Sequence, residues 1–317
     1  MSYRAPWWLA NRHAQSVLPT RFRYLPNPSV WRHIETRDGD RLEVKTVEQG
    51  APLALILHGL GGCAESLYVR GMQRALSRAG FSTWAWNARG AGRPNLRGDT
   101  YHGGRYCDVQ DLIQAAGARP MVAVGFSLGA AMLVNTLGRS APGIQAAVAV
   151  SCPFGFVDNV AHLDGPRGRI YRHYLLHRLR HMARRKRAYG QAMGADWAHR
   201  YPGDSELSRL RTFQAFDDRL TAPLNGFQDA MDLYRGVDPA QVLEHVQAPL
   251  LMLQADDDPL FVDHARPPTP LPKSCEFELT RGGGHVGFVH GPWPWQAQYY
   301  AEQRAVDFLT SHLGDLK

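Results

Sequence analysis

Three side chains have the types and the order along the chain that covalent catalysis requires. Ser127 stands in the stretch Gly125-Phe-Ser-Leu-Gly129, with a glycine two residues away on each side. A serine hydroxyl is a weak nucleophile at neutral pH, so it needs a histidine base and a carboxylate that orients this base. His285 and the run Asp256-Asp-Asp258 follow Ser127 in the sequence. These residues together predict a serine nucleophile with both of its proton-relay partners.

The residues around Ser127 predict a sharp turn that exposes its hydroxyl. Residues 121–124 form an apolar run typical of a buried strand, and a helical pattern begins at Ala130. A Gly-x-Ser-x-Gly stretch between a strand and a helix is the pattern of a nucleophile elbow. Because this turn is tight, a Cβ at Gly125 or Gly129 would collide with neighbouring backbone, and Ser127 must adopt a strained conformation.

The base and the carboxylate are expected in loops after two later strands. The apolar run at 249–254 leads into the three aspartates, and the run at 275–280 leads into the glycines before His285. Asp258 is favoured because it stands three residues after the end of its strand; Asp257 is second, and Asp256 would cap the turn or stay solvated. The glycines beside His285 permit close packing, so its ring can reach Ser127.

Two backbone amides are candidates for stabilising the negative oxygen that forms during acyl transfer. Leu128 follows the nucleophile and lies at a helix N-terminus, where amides face outward. Leu60 lies in the glycine-rich stretch His58-Gly-Leu-Gly-Gly62, which follows the first buried strand. We expect Leu60 and Leu128 to form the oxyanion hole, although other amides of the glycine-rich stretch remain alternatives to Leu60.

The alternation of short apolar runs with helical patterns predicts an α/β fold. A mostly parallel central sheet should carry helices on both faces, with ligands at the carboxyl ends of the strands. A hairpin at Asp38-Gly39 precedes this pattern, and an amphipathic helix at about 295–312 ends it. Residues 1–317 are expected to form a single domain. The connection between Cys152 and Pro249 is too long for one crossover, so it predicts a helical cap inserted at about 154–235.

Composition narrows the class of protein further. The four cysteines show no Cys-x-x-Cys spacing, so we expect neither a disulfide framework nor a zinc site. No run of about 18 apolar residues occurs, which argues against a transmembrane helix. We therefore expect a soluble, cytoplasmic protein. His173, His177 and His181 share one helix face, but no carboxylate or cysteine accompanies them, so no metal site is expected there.

A basic stretch at 167–187 contains nine lysines and arginines interleaved with apolar residues at helical spacing. Such a helix can lie on an anionic membrane surface or meet a phospholipid headgroup. The alternative is a solvated cap helix that covers the core with its apolar side. Nucleic-acid binding is not expected, because no recognised reader motif accompanies the charge.

Eight motifs spread over nearly the full length carry a family resemblance. They are Asn11-Arg-His-Ala-Gln-Ser16, His58-Gly-Leu-Gly-Gly62, Asn87-Ala-Arg-Gly90, Tyr101-His-Gly-Gly104, Gly125-Phe-Ser-Leu-Gly129, Phe216-Asp-Asp-Arg-Leu-Thr-Ala-Pro223, Ala255-Asp-Asp-Asp-Pro259 and Gly283-Gly-His-Val-Gly-Phe288. With them the chain resembles the YheT and embryogenesis-associated EMB8 branch of the α/β-hydrolases, which includes ABHD1/ABHD3-type proteins. The resemblance implies an α/β-hydrolase fold, the relay Ser127, Asp258 and His285, and carboxylesterase or lipid-acyl hydrolase activity without metal or organic cofactor.

Two departures from the family pattern concern the mouth of the site. Gly61 stands where the family usually has threonine, and Tyr106-Cys-Asp108 replaces a common Asp-Asp step. These departures leave the reaction type better defined than the substrate. We expect a serine hydrolase that cleaves a short- or medium-chain or lipid-like carboxylic ester through an acyl-enzyme. The alternatives are a non-catalytic module that binds lipid or membrane surfaces, and amidase, peptidase or acyltransferase activity.

Overall fold

The computed structural model describes residues 3–20, 23, 25, 29–50 and 52–313. Within them the main sheet consists of β1 (Val30–Glu35), β2 (Arg41–Val47), β3 (Leu53–Leu57), β4 (Ser82–Asn87), β5 (Met121–Phe126), β6 (Ile144–Val150), β7 (Leu250–Ala255) and β8 (Cys275–Thr280). Their order across the sheet is β1-β2-β4-β3-β5-β6-β7-β8. Strand β2 pairs antiparallel with β1 and β4, whereas the other neighbours pair in parallel. The predicted mostly parallel sheet is confirmed.

Helices cover both faces of this sheet. In chain order the helices are α1 (Arg12–Val17), α2 (Leu67–Arg78), α3 (Tyr106–Ala116), α4 (Leu128–Leu137), α5 (Phe156–Asp164), α6 (Arg169–Ala192), α7 (Asp204–Arg209), α8 (Phe213–Phe216), α9 (Ala222–Leu224), α10 (Ala230–Gly236) and α11 (Tyr300–His312). Alternate residues of β3 point to opposite faces, as strand geometry requires. Leu55 packs in the layer that includes α3 and α4, and Ile56 packs in the layer that includes α2 and α11.

The connection between β6 and β7, residues 151–249, is largely helical. It contains α5 to α10 and one π-helix, Asp217–Thr221, which follows α8 directly. Apolar side chains of this segment form a cluster of their own, in which Leu179 of α6 packs with Leu207 and Phe216. The long connection thus folds into helices with an apolar cluster of their own.

The last helix begins later than the sequence pattern predicts. The expected start near residue 295 was wrong, because Gln298–Tyr299 form a short strand, β10, that pairs with Val289–His290, β9. Helix α11 therefore begins only at Tyr300. Among the described residues, no helix combines the length and the apolar character needed to cross a membrane.

Candidate active site

Ser127 stands at the sharp turn between β5 and α4. Its backbone has φ 51° and ψ −121°, a conformation that non-glycine residues rarely adopt. A Cβ at Gly125 would lie 2.5 Å from the carbonyl oxygen of Gly129, and a Cβ at Gly129 would lie 2.5 Å from that of His58. Both glycines are therefore required by close backbone approach, as the sequence predicts.

The structure brings Ser127, His285 and Asp258 together in one hydrogen-bonded chain. The Oγ of Ser127 lies 2.9 Å from Nε2 of His285, and Nδ1 of His285 lies 2.8 Å from Oδ2 of Asp258. The histidine and the aspartate are buried. With the carboxylate accepting from Nδ1–H, the neutral imidazole presents its Nε2 lone pair to the serine hydroxyl. This arrangement can remove a proton from Ser127 as its oxygen attacks a carbonyl carbon.

The three consecutive aspartates make different contacts. Asp258 alone among them bonds His285, and its second oxygen accepts the amide of Leu260 at 2.9 Å. Asp257 accepts the amide of Gly284 at 2.9 Å, and Asp256 accepts the amide of Gly282 at 2.8 Å. The latter two aspartates therefore hold the glycine-rich loop that carries His285.

Helix α1 forms hydrogen bonds with the backbone of His285 and of Val289, which follows it in the chain. The Oγ of Ser16 accepts the backbone N–H of His285 at 2.8 Å. The buried Gln15 donates to the carbonyl of Val289 at 3.0 Å and accepts the amide of Val289 at 2.9 Å. Sequence reasoning missed these supporting roles. The only signal was the resemblance of the stretch 11–16 to a family motif, because nothing in its spacing connects it to His285.

The loop after β3 lies directly against Ser127. A Cβ at Gly59 would be 3.0 Å from the Cβ of Ser127. Two tyrosine hydroxyls fix the loop, since Tyr68 accepts the amide of Gly59 at 2.9 Å and Tyr101 accepts that of Gly61 at 2.7 Å. The loop is thereby held in one conformation beside Ser127.

His58 ties the same loop to the end of β4. Burial lowers its pKa to about 4, so the ring is neutral at physiological pH. Its Nδ1 donates to the carbonyl of Gly59 at 2.8 Å, and its Nε2 accepts the amide of Ala88 at 3.0 Å. Within the described part of the chain, the amides of Leu60 and Leu128 find no acceptor. Both N–H groups are thus available to a ligand.

A cavity of about 120 Å³ opens at Ser127. Leu60 and Leu128 border it, and the β6–β7 segment supplies most of its remaining wall. This wall is mainly aliphatic and aromatic, with Leu179 and Phe213 as examples. The site therefore combines a serine hydroxyl that is hydrogen-bonded to a histidine with space that favours an apolar group.

Comparison with known proteins identifies the family to which this chain belongs. A model of the alpha/beta hydrolase family matches residues 54–303. The chain belongs to the alpha/beta hydrolase family. It is 34% identical to YheT of Escherichia coli, over 96% of this chain and 92% of the relative, which confirms the branch that the motifs predict.

Two further proteins are similar to this alpha/beta hydrolase. A monoacylglycerol lipase of Saccharomyces cerevisiae is 30% identical over 76% of this chain and 56% of its own length. The structure of the Pyrococcus furiosus esterase Pf2001 superposes with a TM-score of 0.59, covering 92% of this chain and 97% of that one. At 16% identity, this second likeness concerns the fold alone.

Proposed function

We propose that this alpha/beta hydrolase cleaves carboxylic esters with a short- or medium-chain or lipid-like acyl group, using Ser127 as nucleophile. The observation that carries the proposal is the hydrogen-bonded chain from Ser127 through His285 to Asp258, at 2.9 and 2.8 Å. The apolar cavity at Ser127 supports a hydrocarbon part in the substrate. The name of the similar yeast protein, a monoacylglycerol lipase, supports the same class of substrate.

The first half of the reaction forms an acyl-enzyme. As Nε2 of His285 takes the hydroxyl proton, Oγ of Ser127 bonds to the carbonyl carbon and the carbonyl π electrons move to oxygen. Asp258 holds the imidazole tautomer and offsets the positive charge of the imidazolium. When the intermediate collapses, the ester C–O bond breaks and the leaving alkoxide takes the proton from His285.

The second half regenerates the enzyme. Water gives one proton to His285 as its oxygen attacks the acyl carbon, and collapse returns that proton to Oγ of Ser127 with release of the acid. We assign the oxyanion contacts to the amides of Leu60 and Leu128, which border the cavity beside Ser127. One such donor contributes about 10²–10³-fold to kcat in other serine hydrolases.

We further propose that the helices at about 154–235 act as a cap that selects the acyl group. A contact between α6 and the loop after β3 supports this proposal, since Nε of Arg178 donates to the carbonyl of Gly61. Leu179, in the same turn of α6, lines the cavity. A cap that contacts both the loop and the cavity would couple substrate shape to the position of the oxyanion donors.

An ester panel tests the main proposal. Wild type should hydrolyse p-nitrophenyl esters and react with a fluorophosphonate probe, whereas Ser127→Ala should lose the label and at least about 10³-fold in kcat. Aminoacyl-amides and alcohols offered as acyl acceptors serve as the comparison for amidase, peptidase and acyltransferase activity. Faster turnover of the amides than of the esters, or equal turnover in Ser127→Ala, would refute the ester assignment.

Membrane contact through 167–187 is a second candidate that one feature favours. A cleft beside α6 has only basic charged side chains among its lining residues, which include Arg169, Arg172, Arg180 and Arg211. At the same cleft Ile170 is 80% exposed, so an apolar side chain accompanies the charges. Co-sedimentation with anionic and with zwitterionic vesicles tests this contact. A protein that binds anionic vesicles but hydrolyses no ester would be the non-catalytic alternative.

A further inference from the structure

Asp217 is a carboxyl group in the cavity wall without a cationic partner. It begins the π-helix, an irregularity that is frequent at functional sites. The hydroxyl of Tyr234 donates to its Oδ2 at 2.6 Å, and the nearby side chain of Thr221 also favours the ionised form. Among the described residues no arginine, lysine or histidine forms an ion pair with it. Burial, reinforced by Asp164 and Asp218, raises the pKa of Asp217 to about 6 despite these donors.

Asp217 faces the cavity and not a packed core. Asp217, Thr221 and Tyr234 all line the cavity that Ser127 opens into. Asp217 is of intermediate burial, and it is one of the residues that line the cavity. Burying a carboxyl group without a cationic partner disfavours folding. A carboxyl group kept in such surroundings is therefore a candidate for ligand binding.

His102 adds a donor to the same cavity. Burial lowers its pKa to about 3, so the ring is neutral. Its Nδ1 accepts the amide of Gly104 at 3.2 Å, which leaves the proton on Nε2. No described residue accepts this proton. Both Asp217 and His102 line the cavity, and hydroxyl groups can donate to a carboxylate and accept from an N–H, whereas a cation could use only the carboxylate.

We propose that Asp217, Tyr234 and His102 form a hydroxyl-binding subsite in the cavity, and that the preferred substrate is an ester that carries a free hydroxyl, such as a glycerol monoester. This inference rests on the proposed hydrolysis at Ser127 and names its substrate class. The alcohol part of such an ester would lie near the π-helix, with its acyl chain against the apolar wall. Asp217 thereby acts as a specificity-determining residue and not as a catalytic one.

Three esters that share the decanoyl chain and differ in their alcohol part test the subsite. They are monodecanoylglycerol, ethyl decanoate without a hydroxyl, and decanoylcholine with a cation. Asp217→Asn should lower kcat/KM for the glycerol ester by about 10–100-fold, the range of a hydrogen bond to a charged group, and change that for ethyl decanoate by less than about threefold. Asp218→Asn is the matched control, because the neighbouring Asp218 is exposed and does not line the cavity.

The outcomes separate the subsite from the reaction. Equal losses on the glycerol and ethyl esters would overturn the subsite while leaving hydrolysis intact, and a selective loss on decanoylcholine would show a cation site instead. If no ester is turned over by wild type, binding of 1-O-decylglycerol and of decyl ethyl ether to Ser127→Ala still reports on Asp217. We expect the glycerol ether to bind at least about tenfold more tightly, and Asp217→Asn to abolish the difference.

Thermal unfolding distinguishes a binding role from a structural one. A carboxyl kept for stability would lower the unfolding midpoint when it is replaced, whereas Asp217→Asn should raise the midpoint at pH 7.5. A lowered midpoint together with unchanged ester selectivity would show that Asp217 is structural. His102→Phe supplies an independent variant, for which we expect a selective loss of kcat/KM for the glycerol ester and little change for ethyl decanoate.

Discussion

Two buried charged sites of this molecule are built in opposite ways. Arg89, after β4, has a side chain that is 1% exposed and pairs with four carboxylates. These carboxylates belong to Asp38, Asp40, Asp99 and Asp108, and their oxygens lie 2.7 to 3.2 Å from the guanidinium. Asp217, by contrast, accepts the hydroxyl of Tyr234 and forms no ion pair with any described residue.

The difference between the two sites follows their positions. Arg89 joins three segments through these carboxylates, namely the β1–β2 turn, the loop after β4 and helix α3. Burial by itself lowers the pKa of Arg89, but the hydrogen bonds that Arg89 donates to Asp108 and Asp38 outweigh this effect and raise the pKa. Asp217 lines the cavity instead. Removing one partner from a fully paired buried charge destabilises the fold, whereas a charge without ionic partners can be paired by a ligand.

Removing Arg89 is expected to have the largest effect on stability. Arg89→Met leaves the fully buried carboxylate of Asp40 without an ion-pair partner among the described residues, and leaves the fully buried carboxylate of Asp108 with Arg105 alone. We expect the free energy of unfolding to fall by about 3–5 kcal/mol, as when one partner of a buried ion pair is lost. Urea unfolding measures this change.

The control for Arg89 is an arginine of the following loop. The side chain of Arg93 is 81% exposed and lies 3.5 Å from Glu43. Arg93→Met should change the free energy of unfolding by less than about 0.5 kcal/mol. Similar losses in the two variants would mean that the Arg89 cluster contributes no more than a surface pair, and the comparison between the sites would fail.

Asp217→Asn should change the free energy of unfolding in the opposite direction, by a smaller amount than Arg89→Met. The pKa of Asp217 is about 6 in the folded protein, against 3.8 ordinarily. Between these pH values the unfolded chain releases a proton that the folded protein keeps, so wild-type stability falls as pH rises through this window. The asparagine does not titrate. The free energy of unfolding of Asp217→Asn minus that of wild type should therefore be about 1–3 kcal/mol larger at pH 7.5 than at pH 4.

The pH dependence is the decisive part of this measurement. Asp218→Asn, at an exposed carboxyl that accepts the amide of Ala230, should show no comparable growth of its effect with pH. If the Asp217→Asn difference were constant from pH 4 to pH 7.5, the carboxyl would have its ordinary pKa in the folded protein. Asp217 would then carry no folding cost, and the contrast with Arg89 would be lost.

The sequence reveals the relay better than either charged site. Ser127, Asp258 and His285 each follow a strand, and the carboxyl ends of neighbouring parallel strands meet at one edge, so pattern alone predicts their approach. It also ranks Asp258 above Asp257 by distance from the strand end. The choice between them in space depends on the fold of the glycine-rich loop, where Asp257 accepts the amide of Gly284.

The partners of Arg89 and Asp217 leave no such pattern. Arg89 is supplied with carboxylates from three separate segments, and no periodicity connects positions 38, 40, 99 and 108. Asp217 lies in a family-like motif, but only the packing of α10 brings Tyr234 to its side chain. The start of α11 could not be predicted for a related reason, because the pairing of β9 with β10 overrides the helical pattern of the sequence.

The smallest expected effect comes from Tyr234→Phe, which removes one donor from Asp217 and leaves the carboxyl in place. Loss of the 2.6 Å hydrogen bond should raise the pKa of Asp217 above about 6 and lower the free energy of unfolding at pH 7.5 by about 1 kcal/mol. The pH at which stability levels off should move upward with the pKa. Tyr106→Phe, at a half-buried tyrosine, is the control with no such movement. A stability profile in Tyr234→Phe that matches wild type would mean that the tyrosine does not hold the carboxylate, and Asp217 would need another donor to remain ionised in the cavity.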